Sequence, residues 1–389
     1  MTTYIEDSPR PFQTAWIAEA HSAGTASGTV VNPWATPFAH RGGSGNKPGV
    51  AHRIGEFDDA GVSYFFDATT HALQMPGVGD FRYYTDYNLW GGPVGDLTQA
   101  PYRREHARRV FDCQAALGAP FLAPAPLLPS GLNNISTLAL ETARVSLELQ
   151  PSARLTVAGV GTFWRDGRDL DAHIGALAAL APSGWFLSFV QPGNDLPPKL
   201  IADEVFGICR TVRALSEYAP VHISHGDFAA LPAVAAGAST VGTGWDKRQR
   251  VMSYTDYGAR PPSGGMASWY ERPTFLGLLG TLEKADGALL SRQDAALAGR
   301  LGGAPAVPGP KASFLHHVLQ LDTAVKLVQG PASRSYRERY EELDAMYSIA
   351  STHWAAVRAA TGIRDRSGEW ISAYQRGLRM YAQSEGWVV

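Results

Sequence analysis

The sequence predicts an α/β protein: a (β/α)8 barrel of the TIM type over residues 1–301, followed by an all-helical C-terminal segment. Three observations carry this. Short apolar runs rich in β-branched and aromatic residues alternate with amphipathic helical patterns, which implies parallel strands buried on both faces. Seven or eight such units fall within about 250 residues, the size of this barrel. A stretch dense in proline and glycine, GGAPAVPGPK (302–311), then reads as a linker, and the chain beyond it (312–389) is helical in pattern.

The strand candidates follow in order. TVVNPW (29–34) is the first, VSYFFD (62–67) the second, FLAPAP (121–126) the third and LTVAGVG (155–161) the fourth. GWFLSFV (184–190), VHISHG (221–226) and STVGTGW (239–245) come next. PTFLGLLG (273–280) is the candidate for the eighth, although the same run is compatible with the start of a helix. Between them, Ile201, Val205, Ile208, Val212 and Leu215 step by four and three along one helical face, and Val110, Cys113 and Leu117 do the same under a cover of arginines. An open doubly wound sheet is the alternative architecture. It usually carries G-x-G-x-x-G after its first strand, which is missing after TVVNPW; RGGSGNKPG (41–49) lacks the spacing and reads as a loop. In the tail, FLHHVLQLDTAVKLV, YRERYEELDAMYSIASTHWAAVRAA and EWISAYQRGLRMYAQ each carry an apolar stripe, with Gly362 as a helix stop. These helices are the expected route to any homo-oligomer.

Composition narrows the function classes. The chain has 389 residues, 45% hydrophobic and 18% charged, and can bury a large core without disulfides. The formal net charge of −2 supplies no global field toward nucleic acid or an anionic membrane, so nucleic-acid binding is unsupported by charge. Cys113 and Cys209 are too far apart in sequence for a zinc knuckle or redox pair. The start, MTTYIEDSPRPF, lacks the basic and apolar regions of a signal peptide, and no apolar run reaches the roughly 18–20 residues of a membrane span. The expectation is a cytoplasmic protein.

In a barrel, function sits at the C-terminal ends of the strands. Asp67 ends an aromatic strand there, with Thr69, Thr70 and His71 behind it, and is placed to act as a nucleophile or general acid–base; the plainer role is to cap its own turn. Gln191, Asn194 and Asp195 follow the fifth run. His225 and Asp227 end the sixth, and Trp245 and Asp246 end the seventh. His222 and His225 are three apart and face opposite ways in a strand, so they do not form a ligand pair unless the strand ends between them. Gly242, Thr243 and Gly244, with Lys247, Arg248 and Arg250 close behind, suggest either an anion-binding turn or only a tight turn before a solvated basic face. Tyr83, Tyr84, Tyr87 and Trp90 either wall a pocket and stack on a flat ring or pack over the barrel mouth. Paired glutamates have no support in this reading, because no strand candidate ends in Glu; paired aspartates, Asp67 with Asp227 or Asp246, are available instead.

The segments FFDATTHALQ and HGDFAALPAVAAGASTVGTGWDKRQR resemble the tRNA-guanine transglycosylase type of barrel. That resemblance implies glycosyl transfer at a nucleoside, with Asp67 as the acid–base group and Asp246 nearest to the later acidic position. The family's cysteine-rich zinc site is absent, and Ala68-Thr69-Thr70 stands in place of its Ser-Gly-Gly.

Three functional expectations follow. The first is a barrel transferase acting at a sugar-base or sugar-phosphate centre of a small, nucleotide-like substrate. Asp67, Asp227, Asp246 and His225 would be its catalytic groups. His71, Thr70, Tyr84, Trp90, Gln191, Asn194, Gly242, Thr243, Gly244, Lys247 and Arg248 would bind the substrate, and no cofactor is expected. The second is a divalent-metal-dependent hydrolase or lyase using His71, His225 and Asp227. The third is a non-catalytic barrel with a helical interaction module.

Overall fold

The computed structural model describes residues 2–8, 10, 12–41, 48–79, 81, 83–259, 272–303, 309–363 and 368–388. Eight parallel strands form one curled sheet: β1 (Thr3–Glu6), β2 (Gly28–Val31), β3 (Ser63–Phe66), β4 (Leu127–Leu128), β5 (Leu155–Val160), β6 (Trp185–Val190), β7 (Val221–Ser224) and β8 (Thr240–Thr243). Their order, β3-β2-β1-β8-β7-β6-β5-β4, is the circular order of a (β/α)8 barrel opened at the β3/β4 seam.

Six strands coincide with the predicted runs, and the third run, 121–126, ends just before β4, carrying only the isolated Leu122 bridge. The eighth run does not coincide with any of them. Residues 273–280 instead contribute two short strands, Thr274–Phe275 and Gly280–Thr281, to a separate antiparallel pair. The missing strand is the N-terminal TYIE, paired with β2 on one side and β8 on the other.

The seam has a physical cause. The third predicted run contains Pro124 and Pro126, which have no N–H to give a ladder. The chain there touches its neighbour β5 through a single Leu122–Arg154 bridge before β4 proper begins. On the β3 side, the fully buried Gln114 closes the gap. Its Nε2 donates to the carbonyls of Phe66 and Leu122, both at 2.9 Å, and its Oε1 accepts from the Leu122 amide at 3.1 Å.

Side chains fill the barrel in layers. Val30, Phe65, Leu122 and Phe186 form one interior cluster with Tyr4 packed on it. His222 joins them, its ring 4.7 Å from that of Phe186 and 5.2 Å from that of Tyr4. Residues two further along the same strands also point inward. On β1 that residue is Glu6, and just past β3 it is Asp67.

The C-terminal helices continue the barrel's outer ring. Pro310–Gln329 packs between the helices Gln13–Ser22 and Leu231–Ala235 and against β1, in the place of an eighth barrel helix. Tyr336–Thr361 and Trp370–Ser384 pack outside it, on Leu231–Ala235 and Ala202–Ser216. One apolar cluster runs from Val157 and Trp185 in the barrel to Leu321, Tyr347 and Trp354 in these helices. Of the predicted linker, 304–308 lies outside the described residues, as do 42–47 of the predicted glycine-rich loop. No described helix is long and apolar enough to cross a membrane.

Gln114→Ala should lower stability by about 2–4 kcal/mol, because it leaves two carbonyls and one amide without partners in the interior. Urea denaturation followed by circular dichroism measures the loss.

Candidate functional site

β1 ends in Glu6, and Glu6 with the following Asp7 and Ser8 organises the C-terminal mouth. Glu6 is completely buried. Its Oε1 accepts from Ser224 Oγ at 3.0 Å and from the His225 amide at 2.9 Å, while its Oε2 has no partner. Two local features make room for the carboxyl. A side chain at Gly242 would place its Cβ 2.0 Å from Oε1, so only glycine fits there. His225 adopts the left-handed conformation at φ 52°, as its neighbour Asp227 does at φ 45°.

Burial pushes the Glu6 carboxyl up to about 8, and the nearby charges of Asp67 and Asp7 push in the same direction. Burial drives His225 down to about 3, so its ring is neutral. The 3.6 Å approach of His225 Nδ1 to Glu6 Oε1 is therefore a contact between neutral groups, not an ion pair.

Asp67 stands across the mouth, directly after β3. Its Oδ1 accepts from the Thr69 amide at 2.8 Å, a bond made possible by the left-handed Thr69 at φ 54°. Its carboxyl is raised by burial, against the opposing pull of His71 and the Thr69 amide. His71 is itself buried and lowered, and its Nε2 has no partner.

Beside Asp67 lies a rigid polar scaffold. His106 shares a 2.7 Å bond with the Leu89 carbonyl through Nδ1, so Nδ1 carries the proton and Nε2 accepts from Thr70 Oγ1 at 2.9 Å. Trp90 stacks on His106 at 3.7 Å and donates to Tyr84 Oη at 3.2 Å. Tyr87 Oη donates to the Thr36 carbonyl at 2.8 Å. Thr70, Tyr84 and Trp90 are all buried and hold the Asp67 strand end in place; one face of Trp90 is already covered by His106, which is the packing role and not an open stacking platform.

The other predicted acidic groups are engaged elsewhere. Asp246 receives both Arg10 Nε and Nη2 at 2.9 Å, and it caps the short helix Lys247–Arg250. Asp227 pairs with Arg250 through Oδ2 and approaches His317 Nε2 at 3.5 Å through Oδ1. It faces these partners and not His71, and among the described residues no group of three or more His, Cys, Asp or Glu is arranged to hold a metal ion.

Gly242 and Thr243 are buried within β8, Thr243 Oγ1 bonding His317 Nε2 at 2.9 Å, and a Cβ at Gly244 would strike Gln249. These positions serve close packing instead of an open anion turn. Asn194 donates to Asp256 at 3.2 Å, and Gln191 is buried with Nε2 unpartnered. Lys247 is set apart from the mouth, in a groove with Asp195, Arg272 and Glu283.

Close to Glu6 lies a narrow crevice of about 10 Å³, room for roughly one water, lined by Asp7, Asn32, Trp34, His225, Arg248 and Tyr257 among others. Tyr257 packs at its wall, 5.1 Å from the Trp34 ring and 5.9 Å from that of Phe81, and its hydroxyl is raised by burial and by the charges of Asp67 and Glu6. Asp7 is held at one wall by Arg53 Nη1 at 2.6 Å and Thr36 Oγ1 at 2.5 Å.

No family model matches the chain, and no curated protein matches it. Among solved structures, the crystal structure of xylanase B from Clostridium stercorarium F9 aligns with 62% of this chain and 84% of its own length, at 14% identity and a TM-score of 0.33. A likeness at that level adds nothing to what the strand order establishes.

Glu6, Asp7, Arg53, Trp34 and Tyr257 escaped the sequence reading. The signal for the first two was present: Tyr4 and Glu6 alternate with Thr3 and Ile5, as a half-inward strand requires. The expectation that no strand ends in Glu is corrected by β1.

Glu6 links folding to pH. The folded state keeps a proton that the unfolded chain releases near pH 4.5, so this contribution to stability is complete below that pH and is lost as pH rises toward about 8. In Glu6→Gln the dependence disappears, and the melting temperature of the variant should gain on that of the wild type between pH 5 and 8.

Proposed function

We propose that the protein is a barrel enzyme acting at the anomeric carbon of a small sugar or nucleoside-like substrate, by glycosyl transfer or cleavage. The observation that carries this reading is a completely buried Glu6 whose Oε2 has no partner, in surroundings that push its carboxyl up to about 8. It shares the barrel mouth with a second buried carboxyl, Asp67, close enough for the charge of one to act on the other. Two carboxyl groups in different environments are what reaction at an anomeric carbon requires.

Glu6 is the proton donor. As the bond from the anomeric carbon to the leaving oxygen or nitrogen breaks, its electron pair departs with the leaving group and takes the proton from Oε2. Asp67 carries the negative charge that supports or attacks the resulting cationic carbon. Water or an acceptor hydroxyl then bonds to that carbon and returns its proton to Glu6. Thr69 holds one oxygen of Asp67, which leaves the other for the substrate.

Turnover of aryl glycosides and of nucleosides tests this. Glu6→Gln and Asp67→Asn should each lower kcat/KM on the order of 10²–10⁴-fold, whereas Asp246→Asn should act mainly through stability. Activity that requires a protonated Glu6 should fall as pH rises past about 8. Full activity in both Glu6→Gln and Asp67→Asn overturns the reading.

A further inference from the structure

Glu6 is sealed from solvent, yet a group that gives up a proton must regain one. The residues that hold it offer a route. Ser224 Oγ sits between two partners: it donates to Glu6 Oε1 at 3.0 Å and lies 2.7 Å from His225 Nδ1. A hydroxyl carries one proton, so Ser224, having committed it to Glu6, accepts from the ring. That fixes the resting tautomer of His225, with the proton on Nδ1 and none on Nε2. His225 in turn lines the crevice, which has room for roughly one water. The donors along this chain therefore all point the same way, from His225 toward Glu6.

The backbone builds the chain. At φ 52° the left-handed His225 places its amide on Glu6 Oε1 at 2.9 Å and its ring on the hydroxyl of the residue just before it. The direct approach of Nδ1 to Oε1, at 3.6 Å, is too long for a hydrogen bond, so the hydroxyl is the bridge. All three residues are buried, and in such surroundings a chain of hydrogen bonds polarises along its length. A ring kept neutral by burial is suited to passing a proton on and not to holding one.

We propose that Ser224 and His225 form a proton relay that refills Glu6 from solvent through the crevice. In one passage Glu6 Oε1 takes the Ser224 proton, Ser224 Oγ takes the proton of His225 Nδ1, and Nε2 takes one from a water in the crevice. The water is left as hydroxide and is neutralised in the bulk. Each proton moves alone, and each atom that releases one keeps the electron pair of the broken bond, so nothing is oxidised or reduced. A return of the ring to its Nδ1–H form resets the chain. Glu6 thus loses a proton from Oε2 and gains one at Oε1 without the barrel opening. The relay concerns the proton of Glu6 alone and does not depend on which substrate the mouth takes.

Isotope exchange of the Glu6 carboxyl tests this without a substrate. The full chain is moved rapidly into D₂O at a pH where Glu6 is protonated, and its carboxylic C=O stretch is followed by stopped-flow infrared spectroscopy. The band that disappears in Glu6→Gln belongs to Glu6, which separates it from Asp67. Ser224→Ala and His225→Asn should each slow the exchange on the order of tenfold or more, because the proton then leaves only when the structure opens locally. Asparagine is chosen because it tolerates the left-handed backbone. Ser224→Thr keeps the hydroxyl and should exchange at close to the wild-type rate. An unchanged rate in a folded Ser224→Ala or His225→Asn overturns the proposal. So does a Ser224→Thr as slow as Ser224→Ala, since packing and not the hydroxyl would then set the rate. Should these variants fail to fold, the wild type decides. Exchange no faster than local opening, read at the His225 amide under conditions where each opening leads to exchange, overturns the relay, and faster exchange supports it. Absence of any Glu6 carboxylic band overturns both the relay and the proton-donor role of Glu6. Absence of turnover on glycosides and nucleosides removes the sugar reading and leaves these rates untouched.

Discussion

The buried carboxyl of Glu6 is the constraint around which the mouth of the barrel is built. Removing such a group from water is costly unless it is neutral or well bonded. Here it is largely neutral, and one oxygen accepts two hydrogen bonds from the end of β7. Its main-chain carbonyl is held as well, by Gln249 from beyond β8 and by Gln13 at 3.3 Å. One residue thus ties β1 to both β7 and β8. The strained backbone at His225 follows from this: a left-handed conformation there turns the amide onto Glu6, and the bond helps to offset the strain.

Much of the fold was legible because it is written in local periodicity. Six strands read correctly from short apolar runs, the third run stopped one residue short of β4, and the helices between them read from steps of three and four. β1 was lost because four residues at the start of the chain give no run long enough to stand out. With it went Glu6, and so the better half of the carboxyl pair. Asp67 was legible because it directly ends an aromatic strand. The occupation of Asp227 and Asp246 was not: Arg10 lies 236 positions from Asp246, and the His317 that meets Asp227 comes from a helix far down the chain. Partners this remote leave no trace in spacing.

The tail changes meaning in three dimensions. A break in composition near 302–311 suggested a separate helical body, yet Pro310–Gln329 occupies the position of the barrel's eighth outer helix. His317 on that helix is wedged between Thr243 of β8 and Thr274, with both ring nitrogens at 2.9 Å from a hydroxyl. Burial holds the ring uncharged, so it works as a neutral clamp that joins the barrel's last strand to its last helix.

Gln114 gives the barrel an uneven stiffness. Elsewhere each strand is stitched to its neighbours by main-chain bonds; at the β3/β4 seam the join passes through one side-chain amide. The ring behaves like a hoop with a clasp. One carbonyl that Gln114 grips belongs to Phe66, the residue immediately before Asp67. The carboxyl on that side of the mouth thus follows a strand end bonded to β2 on one side through its main chain and to the seam on the other through Gln114, while Glu6 sits between β2 and β8 with main-chain bonds on both sides. A single substitution at Gln114 would therefore open the ring at the strand that carries Asp67 and leave the main-chain pairing around Glu6 intact.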